Sequence, residues 1–301
     1  MIAVVGSANM DLVARAPHIP KPGETVLGGG FAESPGGKGA NQAMAIARLG
    51  SPAAFVASVG EDNHGDALLA GFVRAGMDVR FVARCATART GVALIVVDDH
   101  GQNAIVVAPG ANAELSPSFV RASVELLSPQ VILAQLEVPL PSVEAAFAAA
   151  PKALKILNPA PAQALPAELL AATDVIVPNE TETELLTGIL PDTAEKCRSA
   201  AEALRVKGVG TVISTLGARG CYAFDGTQEF RLPAAEVEVV DTTAAGDAFC
   251  GALALAFQQG KSLADALRFA TAVAGLSVSR AGAQASMPSW AEVKNLVDHN
   301  W

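Results

Sequence analysis

The sequence predicts an α/β protein of three layers, with helices on both faces of a mostly parallel central sheet and a small β-sheet lid beside it. Two observations favour this class. From Ser116 onward, strand-like and helix-like segments alternate regularly, as they do in repeated βαβ units. Polar residues or glycines also follow nearly every predicted strand. Because the 301 residues contain no long linker and no internal repeat, we expect a single domain over residues 1–301.

Apolar runs and turn residues divide the chain into the predicted elements of the central layer and its helices. The predicted strands are residues 2–5, 53–59, 131–135, 154–157, 174–177, 212–215 and 235–240, with a hairpin of 221–224 and 229–232. The predicted helices are residues 44–49, 64–75, 116–127, 142–150, 195–206, 248–258 and 263–278.

Other short strand-like segments do not fit βαβ spacing and predict a small separate sheet. They are residues 12–16 and 25–31, and an apolar hairpin of 91–97 and 104–108. We expect them to form a lid, with strands within about residues 12–35 and 90–108. Since an exposed lid sheet leaves an edge and an apolar face to cover, we expect a homodimer through the lid.

Charge and cysteine content exclude several classes of partner. The net charge of −9 argues against a nucleic-acid backbone or an anionic membrane as the main partner. The four cysteines are far apart and no histidine has metal-ligand spacing, so we expect no zinc site. The apolar run at the N-terminus is too short for a signal peptide, and no stretch reaches the roughly 18 apolar residues of a membrane span. We therefore expect a cytoplasmic protein.

The stretch 240–249 is the first candidate for a catalytic site. It lies between the predicted strand 235–240 and the helix that follows, so Ala244, Ala245 and Gly246 occupy a strand-to-helix turn. The first N–H groups of a helix are unpaired and attract anions, and small residues let a phosphate approach them. Asp247 in the first turn could then take a proton from an attacking hydroxyl. Alternatively, Asp247 only caps the helix.

A second candidate is the glycine-rich stretch 36–43, which precedes a predicted helix. Its glycines permit close approach of a ligand, and Lys38 and Asn41 offer donors to hydroxyl or phosphate oxygens. The spacing is not that of a P-loop, and an ordinary glycine-rich loop is the alternative interpretation.

Polar side chains at the carboxyl ends of the predicted strands indicate where these two stretches meet. An α/β sheet brings such ends to one edge, where its crevice binds ligands. The residues concerned are Asn9, Asp11, Glu137, Asn158, Asn179, Glu182, Thr215, Gly217 and Asp247. The sequence therefore predicts an active site at this edge.

Together these motifs resemble the ribokinase (phosphofructokinase B-type) family of carbohydrate kinases, over nearly the whole chain. Gly36-Gly37-Lys38-Gly39-Ala40-Asn41-Gln42 and the stretch 241–247 are similar to the two signatures of that family, in the right order. The stretches 158–161 and 178–182 are similar to further family segments. Asn9, Asp11 and Gln135-Leu136-Glu137 strengthen the resemblance to ribokinases within the family.

The resemblance implies ATP-dependent phosphorylation of D-ribose at its 5-hydroxyl, with Mg²⁺ and an activating K⁺. Asp247 would be the general base, and Ala244, Ala245 and Gly246 the anion hole. The implied sugar-binding residues are Asn9, Met10, Asp11, Gly37, Lys38, Gly39, Ala40, Asn41, Glu137 and Asp247. The implied nucleotide-binding residues are Asn179, Thr215, Leu216, Gly217, Ala218, Arg219, Gly220, Gly246, Asp247 and Thr271. K⁺ would lie among Asp241, Thr243, Ser277, Arg280, Gly282 and Ser286, and Glu182 would help hold Mg²⁺ through water.

Other functions remain open at this point. The acceptor could be 2-deoxyribose, fructose, a keto-deoxy sugar acid or a nucleoside, because the two signatures do not separate these. With 5% aromatic residues, the chain offers little stacking surface for a nucleoside. A sugar-binding protein without catalysis is a second class, which the presence of Gly246 and Asp247 disfavours. A dinucleotide-dependent oxidoreductase is disfavoured because the first strand is followed by Gly6-Ser7-Ala8-Asn9, without a G-x-G-x-x-G motif.

Overall fold

The computed structural model describes residues 1–294, which form two β-sheets and ten α-helices. The strands are β1 Ile2–Val5, β2 Asn9–Arg15, β3 Gly30–Gly36, β4 Ala53–Gly60, β5 Val82–Cys85, β6 Gly91–Val97, β7 Asn103–Ala108, β8 Val131–Ala134, β9 Leu154–Leu157, β10 Val175–Ile176, β11 Thr211–Thr215, β12 Cys221–Phe224 and β13 Glu229–Leu232. The helices are α1 Lys38–Arg48, α2 Asn63–Arg74, α3 Pro117–Leu127, α4 Leu140–Ala149, α5 Ala167–Ala171, α6 Glu180–Thr187, α7 Ala194–Val206, α8 Ala245–Gln258, α9 Leu263–Val278 and α10 Trp290–Val293.

The larger sheet has nine strands in the order β13-β12-β11-β10-β9-β8-β1-β4-β5. Its strands run parallel except at β11-β12 and β12-β13, which are antiparallel hairpin pairs. The predicted hairpin of 221–224 and 229–232 is confirmed to the residue. Because β1 lies between β4 and β8, the polar segment after β1 lies at the sheet edge beside the carboxyl ends of these two strands.

Apolar clusters on the two faces of this sheet make the three layers of the predicted fold class, which is confirmed. Alternate residues of one strand point to opposite faces, so Val4 and Val5 of β1 belong to different clusters. One cluster includes Val4, Phe55, Leu253 and Phe269, and packs α1, α2, α8 and α9 against the sheet. The other includes Val5, Phe147, Leu204 and Tyr222, and covers the opposite face with α3, α4 and α7.

The smaller sheet has four strands in the order β3-β2-β6-β7. The predicted hairpin of β6 and β7 is confirmed. The predicted strand at 25–31 is wrong over most of its length, because residues 24–28 form no strand and β3 begins at Gly30. Three successive glycines, Gly28 to Gly30, separate the apolar run from the strand, and glycine disfavours strand structure.

The predicted strand 235–240 is also wrong. The alternation that suggested it is real, since Ala235 and Val237 are half-buried while Glu236 and Glu238 are exposed. This segment pairs with no strand, however. The N–H groups of Val240 and Asp241 instead donate to the Val278 carbonyl at the end of α9, over 2.8 and 3.1 Å. Residues 240–244 therefore form a loop that leads into α8 and is hydrogen-bonded to the end of α9.

Four elements were not expected from the sequence: β5, α5, α6 and α10. All are short, with α10 spanning four residues and α5 five. Such elements depend on tertiary packing more than on local periodicity. Among the residues described, 1–294, no helix has both the length and the hydropathy to cross a membrane.

Candidate active site

A cleft opens at the carboxyl ends of the central parallel strands, at the edge that the sequence predicts. It collects residues from β9, β10 and β11 and from the first turns of α1, α6 and α8. Its lining consists of Lys38, Asn158, Ala160, Val177, Asn179, Glu182, Thr215, Thr242, Ala244, Ala245, Gly246, Asp247 and Cys250.

Asp247 lies in the first turn of α8 and is buried, with 6% of its surface exposed. Each of its carboxylate oxygens accepts a hydrogen bond from an amide of α1. Asn41 Nδ2 donates to Oδ2 over 2.9 Å, and Gln42 Nε2 donates to Oδ1 over 3.0 Å. The two helices can approach closely because residue 251 is glycine. A Cβ there would lie 2.8 Å from the carbonyl oxygen of Gln42.

The turn before Asp247 presents free N–H groups to the cleft. Ala244 is the N-cap of α8 and adopts a left-handed φ of 60°, a conformation that is uncommon for alanine. The Ala245 N–H donates to Thr242 O over 3.3 Å. The N–H groups of Gly246 and Asp247 donate no hydrogen bond to any group within residues 1–294. Since Ala244 has no capping side chain and Asp247 is the third helical residue, the alternative that Asp247 is the N-cap is wrong.

The charge balance of the cleft is acidic around one lysine. Burial raises the pKa of Asp247, although Lys38 and the amides of Asn41 and Gln42 act in the opposite direction. Burial would lower the pKa of Lys38, but the charges of Asp247, Glu137 and Glu182 outweigh it and raise that pKa. Lys38 is therefore held cationic beside the carboxylate of Asp247.

Asp11 and Glu137 lie beside this cleft, next to the start of α1. Glu137 Oε2 accepts from the Lys38 N–H over 3.0 Å and from the Ser7 hydroxyl. Asp11 lies directly against Gly36, where a Cβ would meet its carboxylate at 2.2 Å, so any larger residue at position 36 would displace the Asp11 side chain. Burial, then the charges of Glu137 and Asp247, raise the pKa of Asp11 to about 7.

Asn9 and Met10 have different surroundings although they are adjacent. Asn9 is buried, and its Oδ1 accepts from Asn112 Nδ2 over 2.7 Å. Asn112 also bonds both the N–H and the carbonyl of Ala8, and thereby fixes this segment. Met10 is buried in the apolar core. No role was predicted for Asn112, since nothing in the sequence near it suggests that it contacts residues 8 and 9.

The remaining predicted sugar-binding residues form the first turn of α1. Gly37 is its N-cap with a φ of 90°, and Gly39 and Ala40 are buried behind the cleft. The Ala40 N–H donates to Ser7 O over 2.8 Å, which anchors the turn to the loop after β1.

Asn179 and Glu182 form a capping box at the start of α6. The Glu182 N–H donates to Asn179 Oδ1 over 2.9 Å, and the Asn179 N–H donates to Glu182 Oε2 over 2.8 Å. The spacing Asn-x-x-Glu is a recognised capping signal, so this structural role was readable from the sequence. Both side chains also line the cleft. Burial raises the pKa of Glu182.

The predicted nucleotide-binding residues 215–220 begin at the last residue of β11 and include a short 3₁₀ turn at Gly217–Arg219. Thr215 lines the cleft. Arg219 turns away to bond Glu180 and the carbonyls of Pro191 and Asp192. Thr271 of α9 contacts the Cys221 thiol at 3.8 Å, beside the end of this turn.

The predicted cation residues gather where the loop before α8 meets the end of α9. The Asp241 carboxylate accepts the N–H groups of Thr243 and Gly282, each over 2.9 Å. Burial opposes ionisation of Asp241, but these hydrogen bonds lower its pKa overall. Ser277 and Ser286 are buried, with hydroxyls that donate to Ala274 O and Ala283 O. Arg280 pairs with Glu292 over 2.8 Å.

Gln42, Gln135, Asn158 and Cys250 are site residues whose contacts the sequence patterns did not identify. Asn158 has the expected place after β9, yet its partner is Gln42 over 3.1 Å. Cys250 lies one turn after Asp247 on α8 and lines the same cleft. For a helical residue, i to i+3 spacing from a candidate base is the signal that could have indicated it.

The raised pKa of Asp11 predicts a pH-dependent cost to stability. An unfolded aspartate titrates near pH 4, so above that value the unfolded chain loses a proton that folded Asp11 retains up to about 7. Stability therefore falls as pH rises through this window. We expect Asp11→Asn to raise Tm at about pH 8 and to leave it nearly unchanged at about pH 4.

Calorimetry at the two pH values tests this expectation. Asp225→Asn is the control, because turn N–H groups lower the pKa of Asp225 and its substitution should give no gain at the higher pH. An equal Tm change at both pH values for Asp11→Asn would contradict the electrostatic account.

Comparison with known proteins identifies the family to which this arrangement belongs. The family model described as "pfkB family carbohydrate kinase" matches residues 1–290. Ribokinase of Haemophilus influenzae is 40% identical over 301 residues, covering 99% of this chain and 98% of that protein. Deoxyribokinase of Salmonella typhi is 39% identical over 292 residues, covering 96% of this chain and 95% of that protein.

A solved structure has the same fold throughout. Arabidopsis thaliana ribokinase, complexed with ribose and ATP, superimposes with a TM-score of 0.88 at 35% sequence identity. The match covers 99% of this chain and 98% of that one. The chain therefore belongs to the pfkB family of carbohydrate kinases.

Proposed function

We propose that this protein is a ribokinase, which transfers the γ-phosphoryl group of ATP to the 5-hydroxyl of D-ribose. The observation that carries the proposal is the buried Asp247 carboxylate beside the free N–H groups of Gly246 and Asp247. Similarity to ribokinases at about 40% identity over nearly full length supports the substrate. The ribose and ATP of the Arabidopsis complex support it as well.

The chemical step needs a base, an anion site and exact positioning of the two reactants. Asp247 takes the proton of the sugar hydroxyl as that oxygen attacks phosphorus. The N–H groups at the start of α8 receive the negative charge that builds on the transferring phosphoryl group. Ala244 and Ala245 keep this turn free of bulky side chains. Enclosure of the carboxylate keeps water from competing as the acceptor.

The sugar pocket lies between Asp11, Lys38, Asn41 and Glu137. Sugar hydroxyls both donate and accept hydrogen bonds, and this set supplies carboxylate acceptors and cationic or amide donors. Asn41 Oδ1 is a buried acceptor that no group within residues 1–294 satisfies. A bound hydroxyl would satisfy it, which is the chemistry expected of a residue that recognises a sugar.

Magnesium fits the nucleotide side of the cleft. Mg²⁺ prefers oxygen ligands and keeps several of its waters. Glu182 lines the cleft beside Asp247, so we assign Glu182 to hold the ion through water and Asn179 to contact phosphate. When bound, the ion neutralises phosphate charge. Residues 215–220 and Thr271 would flank the nucleotide.

Potassium fits the loop between Asp241 and Ser286. The structure gives an ionised carboxylate there, since hydrogen bonds lower the pKa of Asp241. The main-chain oxygens of Asp241, Thr243, Arg280 and Gly282 accept no hydrogen bond from the residues described. Oxygen atoms of this kind suit a weakly hydrated monovalent cation. The loop continues directly into Ala244, so the ion would steady the anion-binding turn.

The small sheet supports the proposal of a homodimer through the lid. Both of its faces expose apolar side chains, including Phe31, Leu94, Ile105 and Val106 at 49–66% exposure. Leu94 and Val106 lie directly opposite each other on β6 and β7. The free thiols of the four cysteines support the proposed cytoplasmic location.

Light scattering tests the dimer. We expect a dimer at micromolar concentration, and we expect a double substitution of Leu94→Asp and Val106→Asp to give a monomer. Leu126→Asp on α3 is the matched control, because Leu126 is 78% exposed and lies away from the lid. A native monomer at that concentration would contradict the proposed assembly.

A coupled assay of ADP release tests the substrate and the cation together. ATP and Mg²⁺ are supplied with ribose, 2-deoxyribose, fructose, a keto-deoxygluconate or a nucleoside, with and without K⁺. We expect the highest kcat/KM on ribose and an increase with K⁺. A preference for 2-deoxyribose would favour the alternative supported by the deoxyribokinase relative. Absence of turnover with every acceptor would favour a binding protein instead.

Substitution of the base tests the mechanism. Asp247→Asn keeps the size and shape of the side chain, but an amide cannot accept the proton. Because a general base typically contributes about 10²–10⁴-fold, kcat should fall at least 10²-fold while sugar and ATP still bind. Glu168→Gln, an exposed carboxylate-to-amide change on α5, should leave kcat unchanged. Near-normal turnover of Asp247→Asn would remove Asp247 from the mechanism.

A further inference from the structure

We propose that Gln42 is a positioning residue for Asp247, held in one orientation by an amide chain formed of Gln135, Gln42 and Asn158. The inference rests on the proposed function, in which Asp247 acts as the base. None of the three amides is needed to contact the sugar or the phosphate for this role. Their effect passes through the carboxylate.

Gln42 is fully buried and uses both hydrogens of its amide. Gln42 Nε2 donates to Asp247 Oδ1 over 3.0 Å and to Asn158 Oδ1 over 3.1 Å. Gln42 Oε1 accepts from Gln135 Nε2. A glutamine placed only to fill space between two helices would not need three polar partners.

The direction of the chain is fixed at one end by a main-chain carbonyl. Asn158 Nδ2 lies 3.0 Å from Val177 O, and a carbonyl can only accept. The NH₂ group of Asn158 must therefore face Val177, and its oxygen must face Gln42. Gln42 must then present its NH₂ group, which reaches Asp247 as well. The main-chain carbonyl of Val177, just after β10, thus determines that Gln42 presents its NH₂ group to Asp247.

At the opposite end of the amide chain, this orientation leaves one buried oxygen without a hydrogen bond. Since Gln42 presents its oxygen to Gln135, Gln135 must donate, and its own Oε1 is left buried without a partner within residues 1–294. Gln135 fits only because residue 6 is glycine: a Cβ at Gly6 would lie 1.9 Å from Gln135 Oε1. An unpaired buried oxygen is unfavourable, so its retention indicates a gain elsewhere.

What is gained is control over the orientation and the ionisation of the Asp247 carboxylate. Gln42 and Asn41 each donate to one oxygen, so neither oxygen is free to rotate out of the cleft. Donors also favour the ionised form that a base requires. Other charged or titratable groups face Asp247 too: Lys38, Asp11, Glu137, Glu182 and Cys250. The pKa of Asp11 itself is raised to about 7, so each variant is compared with the native protein at every pH.

The pH profile of sugar phosphorylation tests the role of Gln42. Gln42→Met keeps the length and volume but removes the donor to Asp247 Oδ1. We expect the acidic limb of kcat/KM to move up by roughly one pH unit, a tenfold change in the ionisation constant. Activity should recover partly at high pH, and the KM for the sugar should change less than about threefold. An equal loss at all pH values would overturn the inference, because it would indicate a packing defect.

Gln135→Met separates positioning from folding. Gln135 has no hydrogen bond to Asp247 and is not among the residues that line the cleft. The variant removes the unpaired oxygen of Gln135 and leaves Gln42 Oε1 unpaired in its place. We expect Tm to stay within a few degrees of the native value while the acidic limb shifts up, by less than for Gln42→Met. Thr173→Val is the control, since it removes one buried hydroxyl whose partner is Leu169 O. It should leave the pH profile unchanged. An unshifted pH profile for Gln135→Met would overturn the proposal that the amide chain holds Gln42 in one orientation.

A readout without turnover distinguishes failure of this inference from failure of the proposed function. Carboxyl ¹³C resonances of the native protein labelled at aspartate are titrated, with Asp247→Asn used to assign Asp247. If no sugar is phosphorylated but Gln42→Met raises the titration midpoint of Asp247, the positioning role stands and the proposed reaction fails. If the midpoint is unchanged, the inference fails whatever the activity.

Discussion

A buried carboxylate at the start of α8 is the constraint on which the rest of the site depends. Removing Asp247 from water is unfavourable, and the structure offsets that cost by supplying Lys38 and two amides of α1. These donors reach Asp247 only because α1 and α8 pack closely at Gly251. The packing of two helices on one face of the sheet therefore determines the chemistry at its edge.

The acidic character of the cleft has a second consequence. Carboxylates outnumber cationic groups around the place where we put two anionic phosphates, and Lys38 is the one cationic side chain among the described residues that line the cleft. Burial and mutual repulsion already raise the pKa of Asp11 to about 7. A divalent cation such as the Mg²⁺ that we propose beside Glu182 would offset this negative charge when a nucleotide binds.

The sequence predicted the parts of the fold that are specified locally. Helix α9 and the hairpin of β12 and β13 were predicted to the residue because their periodicity and turn chemistry are strong. The alternation at 235–240 was misleading, because half-burial against a helix gives the same pattern as half-burial in a sheet. The position of Asp247 in the first turn of α8 was predictable from its motif. Its contact with Gln42 was not, since that contact joins residues 205 positions apart and depends on how two helices pack.

The most direct test of the account is the pH dependence of single-turnover phosphoryl transfer, measured by rapid quench after a saturating excess of ribose-bound protein is mixed with ATP and Mg²⁺. The chemical step is then isolated from binding and from product release. If a buried carboxylate is the base, the rate constant should fall towards low pH along one ionisation, with a midpoint above the ordinary value for aspartate of about 4. A rate constant that does not change between about pH 4 and pH 8 would leave the ionisation of Asp247 without a demonstrated role in the reaction and would contradict the account.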